Sequence, residues 1–170
     1  MRIENIRTLK RNNPYHAAPV LVMELDLGDL AGKETHEVTG FTNQLLILLP
    51  GIKQHYCATR RTGDLHEPTP TTIGFGQIAA RVALELATLA GVPVYDASVF
   101  YPDGPQRCLI AIEFTNEAVM RFLLQTAVEL VDALSHGETL PLKARIAEAC
   151  QLIGRPEPGA HATAGAGRWL

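Results

Sequence analysis

The pattern of apolar and polar positions predicts β-structure at the start of the chain. Residues 2–9 place Ile3 and Ile6 among polar neighbours, and a polar turn over 10–14 follows. Residues 19–27 combine an apolar run with alternation, which is typical of a strand with one buried side. We therefore expect two strands before the first helix.

Helical spacing of apolar residues predicts four helices in the rest of the chain. The strongest signal covers 74–90 and ends at Gly91. Its apolar face consists of Phe75, Ile78, Val82, Leu86 and Leu89. The other three helices are 41–49, closed by Pro50 and Gly51; 116–134, with Asn116 as N-cap; and 141–154, started by Pro141.

Two further strands complete the predicted fold. Residues 94–101 and 107–114 flank Pro102-Asp103-Gly104, a sequence suited to a turn, so we expect a hairpin. The order strand–strand–helix–helix–strand–strand–helix–helix indicates an α+β protein, with an antiparallel sheet of about four strands packed against helices. We expect a single compact domain over 1–154, with a long loop over 57–72 and a flexible Gly/Ala/Pro-rich tail over 155–170.

The composition supports a folded protein without a membrane segment. Of the 170 residues, 46% are hydrophobic, which is enough for a core and excludes global disorder. No apolar run approaches the roughly 18 residues of a membrane span, and the first residues lack the apolar stretch of a signal peptide. Three widely spaced cysteines, an odd number, favour reduced thiols. We therefore expect a cytoplasmic protein without a membrane partner.

The charges are distributed unevenly along the chain. The formal net charge of −3 gives no drive toward nucleic acid, so none is expected as a partner. Residues 1–61, however, hold eight Lys or Arg against six Asp or Glu, a balance of +2. The excess gathers in two groups, which are Arg7, Lys10 and Arg11, and Lys53, Arg60 and Arg61. These are either scattered solvated charges or contacts for carboxylates.

Several segments, taken together and in order, carry a family likeness. The most extensive is Gly76–Leu86, followed by Leu89-Ala90-Gly91. The others are Arg7-Thr8-Leu9-Lys10 with Asn13 and Tyr15, Val22–Leu27, Gly40-Phe41-Thr42, Leu48-Leu49-Pro50, His55-Tyr56-Cys57 and Phe114-Thr115-Asn116-Glu117. This succession, over roughly residues 1–135, resembles the N-terminal domain of cyanophycin synthetase.

The resemblance implies an accessory role, in which other domains perform the ligase reaction. In that family the synthetase builds a polymer with an aspartate backbone and arginine side chains, using an ATP-grasp domain and a Mur-ligase-like domain. The N-terminal domain is thought to hold the growing polymer. This sequence has no Walker-type ATP-binding loop. The sequence is either a free-standing homologue of that domain or a shortened piece of a longer protein, and the start at Met1 and the natural-looking tail favour the first.

The resemblance also implies a metal site that this sequence has lost. The family pattern in the main helix is Gly-His-x-x-Glu-His, an inverzincin arrangement in which two His bind zinc and Glu activates a water. The matching residues are Gln77, Ala80 and Arg81. Gln is a poor zinc ligand, Ala cannot act as a base, and Arg keeps its proton. Only Glu85, at a further ligand position, is retained, so we assign no catalytic residue, metal ligand or cofactor.

Two interpretations of this helix face stay open. Gln77, Arg81 and Glu85 lie at i, i+4 and i+8 and share one face. They form either a solvated stripe with a weak Arg81–Glu85 ion pair or a converted pocket in which the guanidinium binds a carboxylate.

A second possible metal site, His55 and Cys57 with His66, has irregular spacing and is weak evidence for a metal. Cys57 is expected to be a small core residue and His55 a hydrogen-bonded loop residue.

We expect a non-catalytic accessory domain that binds a peptide or a partner protein in an ATP-dependent amide-ligase system. The ligand would be an Asp- or Arg-containing peptide, and the partner an ATP-grasp or Mur-ligase-like protein. The candidate binding residues are Arg7, Lys10, Arg11, Asn13, Arg60, Arg61, Gln77, Arg81 and Glu85.

Two alternatives from other classes remain. One is a metal-dependent peptide hydrolase of inverzincin type with altered ligands. The other is a purely structural subunit, for instance a homodimer. Its surface could be the apolar strip Val119, Met120, Phe122, Leu123 and Leu124, although so apolar a helix is more typical of a core.

Overall fold

The structure is a computed structural model that describes residues 1–55, 57–59, 73–93 and 96–154, so the expected tail over 155–170 lies outside the described residues. The strands are β1 Arg2–Leu9, β2 Val20–Asp26, β3 Ala58–Thr59, β4 Ala97–Phe100 and β5 Arg107–Glu113. The helices are α1 Phe41–Leu48, α2 Phe75–Leu89, α3 Glu117–Ser135 and α4 Leu142–Ile153. Short 3-10 helices cover Gly28–Leu30, Thr35–Glu37 and Pro50–Gln54. None of the described helices is long and apolar enough to cross a membrane.

The strands form one sheet in the order β1-β2-β5-β4-β3. The pairs β1–β2, β2–β5 and β4–β5 are antiparallel, which confirms the α+β class and the four antiparallel strands. The two-residue strand β3 pairs in parallel with β4. It lies in the segment predicted as a long loop, because two residues carry no periodicity from which a strand could be recognised.

The helices cover one face of the sheet. Along β2, Leu21, Met23 and Leu25 enter the main core beneath the helices, whereas Val20 and Val22 belong to a smaller cluster on the opposite face. Helix α3 lies against β1 and β2, and α2 lies against β4 and β5. The sheet therefore has one half under α3 and another half under α2.

The connection between β1 and β2 covers part of the opposite face of the sheet. Val20 and Ala111 are fully buried there. Tyr15 packs against the same cluster, with its ring centroid 5.1 Å from that of Phe100. The polar turn predicted over 10–14 is therefore the first part of a longer segment that folds over the sheet.

The predicted helix ends are confirmed by local contacts. The side chain of Asn116 accepts a hydrogen bond from the backbone N–H of Val119 at 3.1 Å and caps α3. Gly91, just beyond α2, has a φ of +75°, a conformation that glycine adopts without steric cost. Pro141 stands immediately before α4.

The apolar strip of α3 that was considered as a dimer surface belongs to the core. Val119, Met120, Leu123 and Leu124 are almost completely buried, and Phe122 is partly buried. The strip packs within the domain, as its composition favours, and is not available to a second copy.

Candidate functional site

The polar face of α2 is buried rather than solvated. Arg81 is 5% exposed and Glu85 is 6% exposed, so the interpretation of Gln77, Arg81 and Glu85 as a solvated stripe is wrong for two of its three members. Residues on nearly every side of α2 are buried, because the sheet lies beneath it, α3 packs beside it, and the 3-10 helix Pro50–Gln54 also contacts it. Charged groups buried in this way need specific partners.

Glu85 has such a partner in His55. The carboxylate Oε2 lies 2.7 Å from Nε2 of His55, and both side chains are largely buried. His55 is thus a hydrogen-bonded residue, as predicted, but its partner is 30 positions away and was not foreseen.

Gly51 brings the 3-10 helix close to the same carboxylate. A Cβ atom at this position would lie 2.9 Å from both Cδ and Oε2 of Glu85, closer than real Cβ atoms approach other heavy atoms. Glycine therefore allows the backbone of this segment to sit directly against Glu85. The close approach of Gly51 to Glu85 and the hydrogen bond between His55 and Glu85 together hold the 3-10 helix against α2.

Arg81 shares its surroundings with Cys57. Burial raises the pKa of the Cys57 thiol to about 12, a rise that the positive charge of Arg81 opposes and the negative charge of Asp96 reinforces. Cys57 is thus a buried, protonated thiol and a poor nucleophile, in agreement with the predicted core role. The nearby His66 lies outside the described residues.

Gln77 is engaged at the start of its own helix. Its Oε1 accepts a hydrogen bond from the backbone N–H of Gly74 at 3.1 Å, which caps α2. Ala80, the position of the general base in the family pattern, is completely buried. Neither residue offers a group for acid–base chemistry at this face.

The basic residues near the N-terminus lie in the other half of the molecule. Arg7 stands on the edge strand β1, 3.7 Å from Glu24, and Lys10 and Arg11 are exposed just beyond it. Because β1 lies under α3 whereas α2 covers β4 and β5, the structure does not bring these residues together with Arg81. Arg60 and Arg61 lie outside the described residues.

Asn13 holds the segment that follows these basic residues. Its side-chain amide donates to the carbonyl oxygens of Lys10 and Ala18, at 2.9 and 2.8 Å. Its Oδ1 accepts from the backbone N–H groups of Tyr15 and His16 at 3.0 Å. The contacts of this predicted binding residue are therefore with its own segment, where it shapes the backbone that carries Lys10.

Sequence reasoning missed one further cluster, around His16. Its Nδ1 lies 3.2 Å from Oε1 of Glu113 and 3.9 Å from Oδ2 of Asp96, on the face of the sheet away from the helices. The three residues are too far apart in sequence for any spacing to connect them. Within the described ranges, no group of three or more His, Cys, Asp or Glu side chains is placed to hold a metal ion.

Comparison with known proteins places these features in a family context. Residues 22–136 match the family model described as cyanophycin synthase-like N-terminal domain. A cyanophycin synthetase from Crocosphaera subtropica is 32% identical over 145 residues, which cover 84% of this chain and 17% of that protein. Those from Trichormus variabilis and Geminocystis herdmanii are 32% and 29% identical over 136 residues, 79% of this chain and 15% and 16% of theirs. The chain therefore spans about one sixth of the length of these curated relatives.

Proposed function

Because this chain belongs to the family of cyanophycin synthase-like N-terminal domains, we propose that it serves an amide-ligase system as a non-catalytic, peptide-binding accessory domain. The observation that carries the proposal is the buried Arg81, one turn of α2 before Glu85, whose carboxylate pairs with His55. At these positions the family pattern would supply a metal site and its base. Here the face offers a fixed positive charge and hydrogen-bond donors instead.

The chemistry of the residues favours binding over hydrolysis. Hydrolysis at such a site needs an activated water, and Ala80 provides no base to activate it. The side chain of Gln77 caps its helix, and the carboxylate of Glu85 is occupied by His55. Arg81 is itself engaged within the protein, but its guanidinium carries five N–H donors. Such a group can also recognise a carboxylate through two parallel hydrogen bonds, and low polarity around it strengthens that contact. An Asp-containing peptide is the ligand with this chemistry.

The exposed basic residues near the N-terminus would attract the same acidic peptide. Lys10 and Arg11 lie at the surface, on the segment that Asn13 shapes, where they can attract an acidic chain from a distance. They lie far from α2, so they would contact a different part of an extended peptide. The enzyme that acts on the peptide would be a separate ATP-grasp or Mur-ligase-like protein.

Substitution of Arg81 tests the proposed ligand site. Titration calorimetry with a synthetic Asp-rich peptide is expected to show at least about tenfold weaker binding for Arg81→Lys, because lysine keeps the charge but loses the two-pronged contact. Arg107→Ala is the matched control, since Arg107 is 61% exposed on the opposite face of the sheet and should bind like the unmodified chain. Circular dichroism of both variants reports whether the fold is intact.

Three results would contradict the proposal. Equal peptide affinity for Arg81→Lys and the unmodified chain would remove Arg81 from the site. Equal affinity for an Asn-rich peptide would show that carboxylates are not recognised. Stoichiometric zinc in the purified protein, together with peptide cleavage, would establish the hydrolase alternative.

A further inference from the structure

Two neighbouring side chains attach the connection between β1 and β2, residues 10–19, to the face of the sheet opposite the helices. We call this connection the strap. The ring of Tyr15 packs against that of Phe100, with centroids 5.1 Å apart, and the side chain of His16 is only 8% exposed. Five other residues of the strap are exposed, namely Lys10, Arg11, Asn12, Pro14 and Ala17. A segment with so few buried apolar contacts can open without unfolding of the whole domain.

The ring of His16 lies beside two carboxylates of the sheet. Its Nδ1 is 3.2 Å from Oε1 of Glu113 and 3.9 Å from Oδ2 of Asp96. The sheet fixes both carboxylates, since the backbone N–H of Glu113 donates to the carbonyl oxygen of Asp96 at 3.1 Å. Oδ1 of Asp96 accepts from the N–H of Ala97, which leaves Oδ2 for the ring. Within the described ranges, these two carboxylates are the ion-pair partners of His16, and the strap itself contributes none.

The other ring nitrogen is buried without a partner. Nε2 of His16 is shielded from solvent and makes no hydrogen bond with the part of the chain that the structure describes. A neutral ring with its proton on Nδ1 leaves a buried lone pair at Nε2, and a charged ring leaves a buried N–H there. Both forms thus have an unsatisfied atom at Nε2, and they differ in the charge that the carboxylates meet.

The two carboxylates favour a positive charge on the ring. An imidazolium is attracted to Glu113 and to Asp96, and it also reduces the repulsion between these two like charges. Burial of the ring acts in the opposite direction, because it takes a charge out of water. The attraction comes from two partners, however, and the more distant one, Asp96, is itself 53% exposed and keeps its hydration.

We propose that His16 is a pH-sensitive switch that holds the strap on the sheet when its ring is protonated and loosens it when the ring is neutral. The switch works between about pH 5 and 8, where the carboxylates stay ionised and imidazole titrates. Its sign follows from the ion pairs, which exist only with a protonated ring. Their contribution to the stability of the strap is complete at the acidic end of this range and is lost as the pH rises through the titration of His16 in the folded protein.

Loosening of the strap changes the surface in two ways. Val20, Val22 and Ala111, which are completely buried on the face that the strap covers, gain contact with solvent. Lys10 and Arg11, which the strap carries, lose their fixed position. The switch thus couples pH to the display of these basic residues. It does not depend on peptide binding at Arg81.

Hydrogen exchange measured by NMR tests the switch. The backbone N–H of Asn12 donates to the carbonyl oxygen of Ala17 at 3.0 Å, so exchange of this amide reports opening of the strap. After correction for the intrinsic effect of pH on exchange, its protection should fall by about threefold to tenfold between pH 5.5 and 8, because one proton is linked to the opening. Protection of the amides within α3 should not change and serves as the internal reference.

Substitutions assign the pH dependence to one ring. His16→Gln keeps a polar side chain but removes the titrating group, so protection of Asn12 should be equal at both pH values. His136→Gln is the matched control, because His136 also lies near a carboxylate, at 4.0 Å from Asp132, but is 58% exposed and outside the strap. This control should keep the full pH dependence. Glu113→Gln removes the nearer carboxylate and should reduce the dependence, which keeps the test decisive if His16→Gln does not fold.

Four results would overturn the proposal. They are constant protection of Asn12 across the pH range in the unmodified chain, protection that rises with pH, a pH dependence that persists unchanged in His16→Gln or Glu113→Gln, and a dependence that His136→Gln also abolishes. Circular dichroism of each variant at both pH values separates opening of the strap from unfolding of the domain.

Discussion

At the scale of single residues, the close packing of Glu85, His55 and Gly51 determines how the candidate site is built. A carboxylate with so little solvent around it is stable only if another group replaces the water, and His55 does so at 2.7 Å. Because Gly51 has no side chain, the carboxylate of Glu85 can occupy the space that a Cβ atom would fill. Each of the three residues therefore depends on the identity of the other two.

Gly51→Ala should reveal this dependence. The new methyl group can be accommodated only if the carboxylate of Glu85 moves, which weakens its contact with His55. We expect a loss of about 1–3 kcal/mol in the free energy of unfolding, measured by urea denaturation. Gly154→Ala is the control, because the nearest atom to its added Cβ is the carbonyl oxygen of Gln151 at 3.8 Å.

A double-mutant cycle gives the sharper test of the same contact. In a Glu85→Ala background the obstructing carboxylate is gone, so Gly51→Ala should cost markedly less than in the unmodified chain. If the cost of Gly51→Ala were the same in both backgrounds, the close approach between Gly51 and Glu85 would not be the cause.

At the scale of elements, capping residues determine where the helices begin. The burial of regularly spaced apolar side chains determines how far each helix extends. Helix α3 starts after Asn116, whose side chain satisfies the backbone N–H of Val119. Its buried residues then follow the helical spacing along most of its length. Helix α2 starts with the reverse contact, in which the backbone N–H of the N-cap residue Gly74 donates to the side chain of Gln77 in the first turn.

Removal of the α3 cap should destabilise the whole domain. For Asn116→Ala we expect a loss of about 1 kcal/mol in the free energy of unfolding, because a backbone donor at the helix start loses its partner. Thr139→Ala, at an exposed position between α3 and α4, is the control and should change stability by less than about 0.5 kcal/mol. Equal effects of the two substitutions would show that the cap contributes nothing measurable.

At the scale of the whole molecule, contacts between distant segments hold the β1 edge of the sheet in place. The edge strand β1 is joined to α3, since Arg121 donates a hydrogen bond to the carbonyl oxygen of Ile6 at 3.2 Å. Glu117 accepts hydrogen bonds from Thr8 and from Arg121. A strand edge whose carbonyl is occupied in this way is less open to pairing with another chain. These contacts add to the antiparallel ladder with β2 in holding β1, none of whose residues is fully buried.

The contact between β1 and α3 predicts a dependence of stability on pH. The hydrogen bonds from Thr8 and Arg121 lower the pKa of Glu117 below its ordinary value of 4.5. A lowered pKa contributes stability that is complete above the ordinary value and is lost as the pH falls through the folded-state value. Glu117→Gln should therefore be less stable than the unmodified chain at pH 7, and the difference should vanish in acid.

The expected effect is below about 1 kcal/mol, because the Glu117 side chain is 41% exposed and solvent screens its ion pair. Urea denaturation at several pH values measures it. Glu138→Gln is the control, at an exposed position without an ion pair among the described residues. A difference between Glu117→Gln and the unmodified chain that stays constant from pH 7 into acid would contradict the assignment.

The sequence by itself determined the α+β class, the four main strands and the helix boundaries. Each depends on contacts among near neighbours, such as the cap at Asn116 and the apolar spacing of α2. It also predicts, from the chemistry of the side chains alone, that Gln77, Ala80 and Arg81 do not form a zinc site.

Only the tertiary structure decided which polar residues are buried and which of them meet. Periodicity shows that Gln77, Arg81 and Glu85 share a face, but it cannot show that the 3-10 helix Pro50–Gln54 packs near that face. The pairing of Glu85 with His55 joins segments 30 residues apart, and the distance between Arg7 and Arg81 depends on the strand order. Likewise, α1 and α3 are both rich in apolar residues, yet α3 is in the core and α1 exposes Ile47. Long-range packing sets these outcomes, and no local pattern in the chain encodes it.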